Sequence, residues 1–377
     1  MPDEVYFIGS GLITALGDSV ERNLSAINNM DSMHTSVSIQ LGADKISLPY
    51  FLINTPPSEQ RIDQLINSVI NQALMESGLN SKEKSALGVF LGSTSYDIYN
   101  HEIAIKSSRL TDINIAENIP PFSSLADFIC KEFNINGPVY TFNTACTSSA
   151  NALMYAAESI RSGEIEHALV LGVEFYNEMT ALGFEGLELI SRAGMQPFNK
   201  NRDGLYLGEA CGAIILSKEA AEHNFSYISG ATLSDNHSIT ACKPDGSSIA
   251  KVIKQALQRA NICDNEIKAV KAHGTASLSN DKAEALGLQL TFSTIPPVSV
   301  IKPVIGHTLG ACGVVELILF YQSIINNQSL AFGRPDSSNE DSILELTNSS
   351  YRPDAGYFLL NYFGFGGSNT SLVISNV

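Results

Sequence analysis

The sequence contains no apolar run of the ~18 residues that a membrane-spanning helix needs, and its opening, "MPDEVYFIGSGLITALG", carries acids where a secretory signal carries positive charge. Both absences argue against an anchored or exported chain, so a soluble cytoplasmic protein is expected. No two cysteines have the CxxC spacing: Cys130, Cys146, Cys211, Cys242, Cys263 and Cys312 are scattered along the chain. Neither a metal site nor a disulfide framework is therefore expected, and in a reducing compartment these should be free thiols. Positive charge is scarce as well, with 23 Lys and Arg against 39 Asp and Glu and a net charge of −16. That balance repels nucleic acid and anionic membranes. An acidic protein partner could dock only on a local basic patch. Apolar residues at 44% and charged residues at 16% leave no composition for a disordered tail. At 377 residues the chain can bury a sizeable core, as two or three domain-sized units or one large duplicated fold.

What is present is organised around "YTFNTACTSSANALMYAAESIRSG", residues 140–163. A β-prone run, Tyr140 to Phe142, leads through Asn143, Thr144 and Ala145 to Cys146, and an alanine-rich helical stretch follows to Ser162 and Gly163. Cys146 thus stands at a strand-to-helix junction. Unpaired N–H groups and the helix dipole favour a thiolate there, so Cys146 is a candidate nucleophile with a lowered pKa. Taken alone, it reads equally as a buried apolar residue.

Along the chain, residues 5–17 read as a strand ending in a glycine-punctuated loop, then a helix from Val20 to Asn28. Residues 29–58 show no clear period. A helix is expected from Arg61 to Ser77, and "ALGVFLGSTS" (86–95) reads as a buried strand. The polar stretch from Ser95 to Phe122 suggests a surface excursion or interface arm. Helix 124–133, strand 167–175, and a strand from Tyr206 to Leu216 interrupted by Gly208 and Gly212 follow, the glycines suggesting close backbone approach. The second half repeats this grammar: strand 226–234, helix 248–260, strand 267–274, helix 281–290, strand "PVSVIKPVIGH", a helix from Thr308 to Ile325, and strands near 356–361 and 370–375. A strand ending in a reactive residue that opens a small-residue helix occurs at 140–162 and again at 297–325. We take this as an internal duplication with halves 1–220 and 221–377, and the alternation implies mostly parallel sheets with helices on their faces.

Two histidines stand in loops with small neighbours. "KAHGTASLSNDKAEALGL" puts His273 directly after an apolar strand, with Asp281 and Glu284 opening the next helix. "SVIKPVIGHTLGACGVVELI" puts His307 at a helix start, five residues after Lys302 and nine before Glu316. An isolated histidine is commonly structural; a strand-end pair points to chemistry. The turn "NYFGFGGSN" (361–369) lacks the following helix and the Lys-Ser/Thr pair of a nucleotide loop, but its N–H groups could polarise a carbonyl oxygen. A Cys/His hydrolase remains one reading of these residues. A second imidazole instead suits a decarboxylative carbon–carbon bond-forming step, in which an enolate oxygen must be stabilised before it attacks a thioester.

In order and spacing, "TACTSSA", "NKNRDGLYLGEACG", "AHGTASLSNDKAEA", "KPVIGHTLGACGVVE" and "NYFGFGGSN" resemble the β-ketoacyl-(acyl carrier protein) synthases with a Cys-His-His triad, along essentially the whole chain. The resemblance implies an α/β fold, the thiolase-like duplicated αβαβα five-layered sandwich with mixed, mostly parallel sheets. It implies a ping-pong acyltransferase in which Cys146 takes an acyl group from acyl carrier protein, and malonyl carrier protein then loses carbon dioxide and attacks it. His273 and His307 would bond the malonyl thioester carbonyl, with Lys302 and Glu316 as ionic support and Asp281 and Glu284 as an acidic pair. Phe363 matches the gating phenylalanine, the N–H groups of Cys146 and Phe363 the oxyanion hole, and Thr275 and Ser277 the hydroxyls that hold the phosphopantetheine arm. By the bland reading Asp281 and Glu284 only cap a helix and Glu316 only pairs with Lys302. The resemblance implies no organic cofactor, and a dimer, either of two copies or with a chain-length-factor-like homologue. Residues 29–122 are shorter and less motif-like than in ordinary fatty-acid synthases of this branch, which resembles the ketosynthases of polyene pathways such as aryl polyene pigments. A non-catalytic chain-length factor is the alternative, and the retained Cys146, His273 and His307 count against it. A thiolase or a Cys-His-Asn synthase would carry asparagine where His307 stands.

Overall fold

A computed structural model describes residues 4–28, 34–56, 58, 60–107, 124–220, 225–332 and 342–377. The first half runs β1 (Val5–Thr14), α1 (Val20–Asn28), β2 (Thr35–Leu41), β3 (Asp44–Phe51), α2 (Arg61–Glu76), α3 (Ser81–Ser85), β4 (Gly88–Gly92), α4 (Ile98–Ser107), α5 (Ser124–Glu132), β5 (Val139–Phe142), α6 (Ser148–Arg161), β6 (His167–Glu174), α7 (Glu178–Gly186), β7 (Leu207–Gly208) and β8 (Ala210–Ser217). The second runs β9 (Ser226–Ser234), α8 (Ser247–Ala260), β10 (Ile267–Lys271), α9 (Leu278–Thr291), β11 (Val298–Ser299), α10 (Lys302–Ile305), α11 (Cys312–Ile325), β12 (Tyr357–Phe363) and β13 (Ser368–Ser375).

The duplication is explicit in the sheet order, β11-β10-β12-β13-β9-β1-β8-β6-β4-β5. Counting the main-sheet strands of each half from its own start, both halves read 3-2-4-5-1. In each, the second strand is parallel to the third and fourth, and the fifth runs antiparallel to the fourth and first. The sheets are therefore mixed, with the parallel pairs confined to the outer strands of each half. The halves join where β1 meets β9 antiparallel through Val5 and Tyr6.

Apolar burial follows the layers. The Ile62, Leu65, Ile66, Val69, Ile70 stripe of α2 and Leu125 and Ile129 of α5 cover one outer face. The apolar faces of α8 and α9 cover the other. Between the halves lie α6 and α11, buried on nearly every side. Their small residues are a packing requirement: a Cβ on Gly313 would come within 2.1 Å of the Ala150 nitrogen.

Several local expectations change. Residues 35–51, within the stretch without a period, form the β2–β3 hairpin, which turns at Gly42 (φ +63°) and buries Val37, Ile39 and Leu48. "PVSVIKPVIGH" pairs only through Val298 and Ser299 before turning into the single turn α10, because Pro303 has no N–H for a ladder. The interrupted strand at 206–216 is two strands in two sheets, since β7 leaves the main sheet to pair with β3. The expected close approach is there: a Cβ on Gly208 would lie 2.0 Å from the Ile305 oxygen. Of the stretch 95–122, residues 98–107 form α4 and 108–122 lie outside the described residues. Among the described residues, no helix is long and apolar enough to cross a membrane.

Candidate active site

The loops leaving the C-terminal ends of β5, β10, β11 and β12 meet over the central helices, where open α/β sheets place their sites. Cys146 and His307 occupy equivalent positions in the two halves, each following the third strand and preceding a central helix.

Cys146 follows Ala145, whose φ of +54° folds the chain sharply from strand to helix. Its Sγ lies 3.1 Å from His307 Nε2. His307 is stitched in by its backbone, its N–H donating to Tyr206 O (2.7 Å) and its oxygen accepting from the Gly208 N–H (3.1 Å). Its Nδ1 accepts the Leu309 N–H (3.3 Å), which puts the ring proton on Nε2, facing the sulfur. His273 completes the group, its ring 5.4 Å from that of His307 and nearly perpendicular to it. The Lys302 ammonium sits 3.3 Å from His273 Nδ1 and donates to the His273 carbonyl (2.7 Å). It therefore leaves His273 with its proton on Nε2 as well.

Burial, then the Lys302 ammonium, hold both imidazoles well below their ordinary pKa, so both are neutral. Burial also pushes the Cys146 thiol up to about 11, while Lys302 and the Phe365 N–H pull it back down. This corrects the expectation of a lowered thiol pKa: at a fully enclosed sulfur, desolvation outweighs the helix terminus. Burial likewise opposes the charge on Lys302, but Glu316 at 2.7 Å helps to outweigh it and the net shift is upward.

The acidic pair does more than cap a helix. Ser277 is the N-cap of α9, its hydroxyl accepting the Asn280 N–H. Glu284 instead accepts the backbone N–H groups of His273 (2.8 Å) and Gly274 (2.9 Å). Asp281 accepts those of Phe198 (2.7 Å) and Ala276 (3.1 Å). Burial pushes Asp281 up to about 7, against the Phe198 bond. Thr275 and Ser277 are both buried beside His273, and the Thr275 oxygen accepts the Ser277 N–H.

Besides its own N–H, the Cys146 sulfur is reached by the N–H of Phe365. Phe363, expected as both gate and oxyanion donor, is the last residue of β12, opposite Asn369, with its buried ring edge-on to His273 at 5.6 Å. The half-exposed ring is that of Phe365, stacked on Phe184 at 5.6 Å. The repeated Phe-Gly in "FGFGG" makes either phenylalanine a match in sequence, and only the strand end separates them.

Sequence reasoning also passed over Lys271, whose Nζ lies 2.6 Å from the second Glu316 oxygen. A lysine in phase with the inward residues Ile267 and Ala269, where Lys268 faces out, was the available signal. Glu174 was missed too; it accepts N–H groups from Thr94, Ser95 and Gly310, tying the His307 loop to β6.

The fold thus brings a cysteine and two neutral imidazoles together over its central helices. The family model described as "Beta-ketoacyl synthase, N-terminal domain" matches residues 53–222, and "Beta-ketoacyl synthase, C-terminal domain" matches residues 225–331. The chain belongs to the β-ketoacyl synthase family. It is 29% identical to "3-oxoacyl-[acyl-carrier-protein] synthase 2" of Vibrio harveyi over 81% of this chain and 80% of that protein. It is 26% identical to "3-oxoacyl-[acyl-carrier-protein] synthase II, chloroplastic" of Arabidopsis thaliana over 85% of this chain, spanning 64% of that longer protein. Its fold matches, over the full chain, a chain of the complex of the ketosynthase ApeO with its chain length factor ApeC from Xenorhabdus doucetiae (TM-score 0.82, 24% identity, 98% of that chain). It equally matches a chain of the AntDE:AntF structure, a type II polyketide acyl-carrier protein in complex with its ketosynthase (TM-score 0.86, 21% identity, 100% of that chain).

Proposed function

We propose that this chain is a β-ketoacyl-(acyl carrier protein) synthase that extends a fatty-acid-like or polyene chain. The observation that carries the reading is the 3.1 Å contact from His307 Nε2 to Cys146 Sγ, with His273 beside it held by Lys302. In the first half-reaction the Cys146 sulfur attacks the carrier thioester and the phosphopantetheine thiol leaves. The His307 Nε2–H, the Phe365 N–H and the Lys302 charge would stabilise the attacking thiolate. The developing oxyanion would rest on the N–H groups of Cys146 and Phe365. In the second, the malonyl carbon–carboxylate bond breaks and carbon dioxide departs. The electron pair moves into an enolate whose oxygen takes hydrogen bonds from the two Nε2–H groups. That enolate carbon attacks the acyl carbon, and Cys146 leaves as thiolate.

No organic cofactor enters these steps, since the substrates arrive on the phosphopantetheine arm, which Thr275 and Ser277 would hold. The partners proposed are acyl carrier protein in its acyl and malonyl forms, and a second copy or a chain-length-factor-like homologue. A dimer is supported by β5, which ends the main sheet with Val139 and Tyr140 about 40% exposed. Free thiols throughout the described residues suit a reducing cytoplasm. The test is to mix acyl- and malonyl-carrier proteins with the enzyme and weigh the carrier. A carrier-bound acyl chain longer by two carbons and bearing a 3-oxo group supports the reading; unchanged carriers refute it.

A further inference from the structure

Behind His273 lies a fully buried chain of charges that the steps above use only at its near end. Glu316 on α11 gives one carboxylate oxygen to Lys302 (2.7 Å) and the other to Lys271 (2.6 Å), and none of the three is more than 1% exposed. The groups around both lysines are acceptors, as ammoniums require; burial lowers the Lys271 pKa, and the Glu316 carboxylate opposes that shift. The three protons of Lys271 face Glu316, the Asn361 carbonyl (2.8 Å) and the ring of Tyr362, whose centroid is 3.6 Å from Nζ. Lys302 donates to the His273 carbonyl and faces His273 Nδ1, with the other Glu316 oxygen 2.7 Å away as its ion-pair partner. Neither nitrogen meets a donor that a neutral amine's lone pair would need. Two ammoniums on one carboxylate leave the cluster with one net positive charge in an enclosed interior, where it is felt strongly.

We infer that Lys271 is a positioning residue for this site: by occupying one oxygen of Glu316, it keeps the Lys302 charge from being cancelled and so available to His273 and Cys146. Without Lys271, Lys302 and Glu316 form a closed neutral pair. Lys302 then still orients His273 Nδ1, but the cluster no longer favours a thiolate at Cys146 or negative charge on an enolate. Lys271 also joins three elements, since its acceptors lie on α11 and β12 while its backbone belongs to β10. Asn361 carries the connection on, donating from Nδ2 to Glu284 at 3.3 Å, and Glu284 holds the His273 backbone. The inference rests on the proposed function for its meaning, but its primary readout needs no substrate.

The experiment is the rate of iodoacetamide alkylation of Cys146, followed by intact-protein mass and peptide mapping at about pH 8, in the full chain. Lys271→Met should slow it about tenfold, the thiolate loss that goes with one pKa unit. Lys271→Arg, which keeps the charge, should stay within about threefold of wild type. The double variant Lys271→Met, Glu316→Gln removes both opposite charges, frees Lys302 and should recover most of the rate. It also removes the carboxylate oxygen that the single variant leaves without its Lys271 partner, so it reports even where the single variant does not fold. A Lys271→Met protein with native circular dichroism and the wild-type rate overturns the inference, as does a double variant no faster than the single one. Should wild type take no acyl group while these alkylation rates behave as stated, the proposed function fails and the charge role of Lys271 stands.

Discussion

Both carboxylate oxygens of Glu284 are taken by the loop that carries His273: Oε1 accepts the His273 N–H and Oε2 the Gly274 N–H. The His273 imidazole is positioned through its main chain, by a carboxylate eleven residues further on that has no free oxygen to offer. Glu284→Gln keeps the size but replaces one acceptor with an NH2 group, which turns a donor toward a buried N–H. We predict a stability loss of about 1–3 kcal/mol by denaturant unfolding. Condensation should fall by up to about a hundredfold through misplacement of His273, with acylation of Cys146 affected less.

The two half-reactions should separate in a variant of His307. His307→Ala should reduce condensation by about 10²–10⁴-fold and spare acylation of Cys146 more, leaving a persistent acyl adduct in the intact mass. Loss of acylation with decarboxylation intact would reverse the roles given to the two steps.

Alkylation of Cys146 should depend on pH without a plateau near neutrality. Its thiol is pushed up to about 11, so below that value the thiolate fraction, and the rate, rise about tenfold per pH unit. Lys302 pulls the thiol down, so Lys302→Met should raise the apparent pKa further and slow the reaction at every pH below it. A titration levelling off near pH 7 would contradict the account of burial.

The edge strand β5 predicts the oligomer. Val139→Asp places a charge in a strand whose pairing side is open, and should shift a dimer toward monomer by light scattering, with little change in far-ultraviolet circular dichroism. A monomeric wild type, alone and with its neighbours co-expressed, would remove the argument.

Legibility in the sequence followed how each residue acts. Cys146, His273 and His307 could be picked out because their side chains are chemically distinctive and they sit at strand-to-loop junctions that apolar patterning reveals. The apolar stripe of α2 gave its helix for the same reason. The β2–β3 hairpin was hidden because few inward residues, Val37, Ile39 and Leu48 among them, carry its alternation. The N–H beside the Cys146 sulfur is that of Phe365, two residues beyond Phe363, and a backbone N–H has no sequence signature. Lys271 reads as the polar end of a strand; its importance comes from Glu316, 45 residues away on α11 and brought to it only by the fold. The thiol pKa failed for a related reason, since the helix start is visible in sequence and the depth of burial is not.

The most direct test of the account is the mass of the intact protein after incubation with acyl carrier protein charged with a fatty acyl chain. The account predicts one acyl increment, mapped to Cys146, absent in Cys146→Ala, retained in Cys211→Ala and Cys312→Ala, and discharged on adding malonyl carrier protein. An adduct that forms equally without Cys146, or no adduct in the wild-type protein, would contradict it.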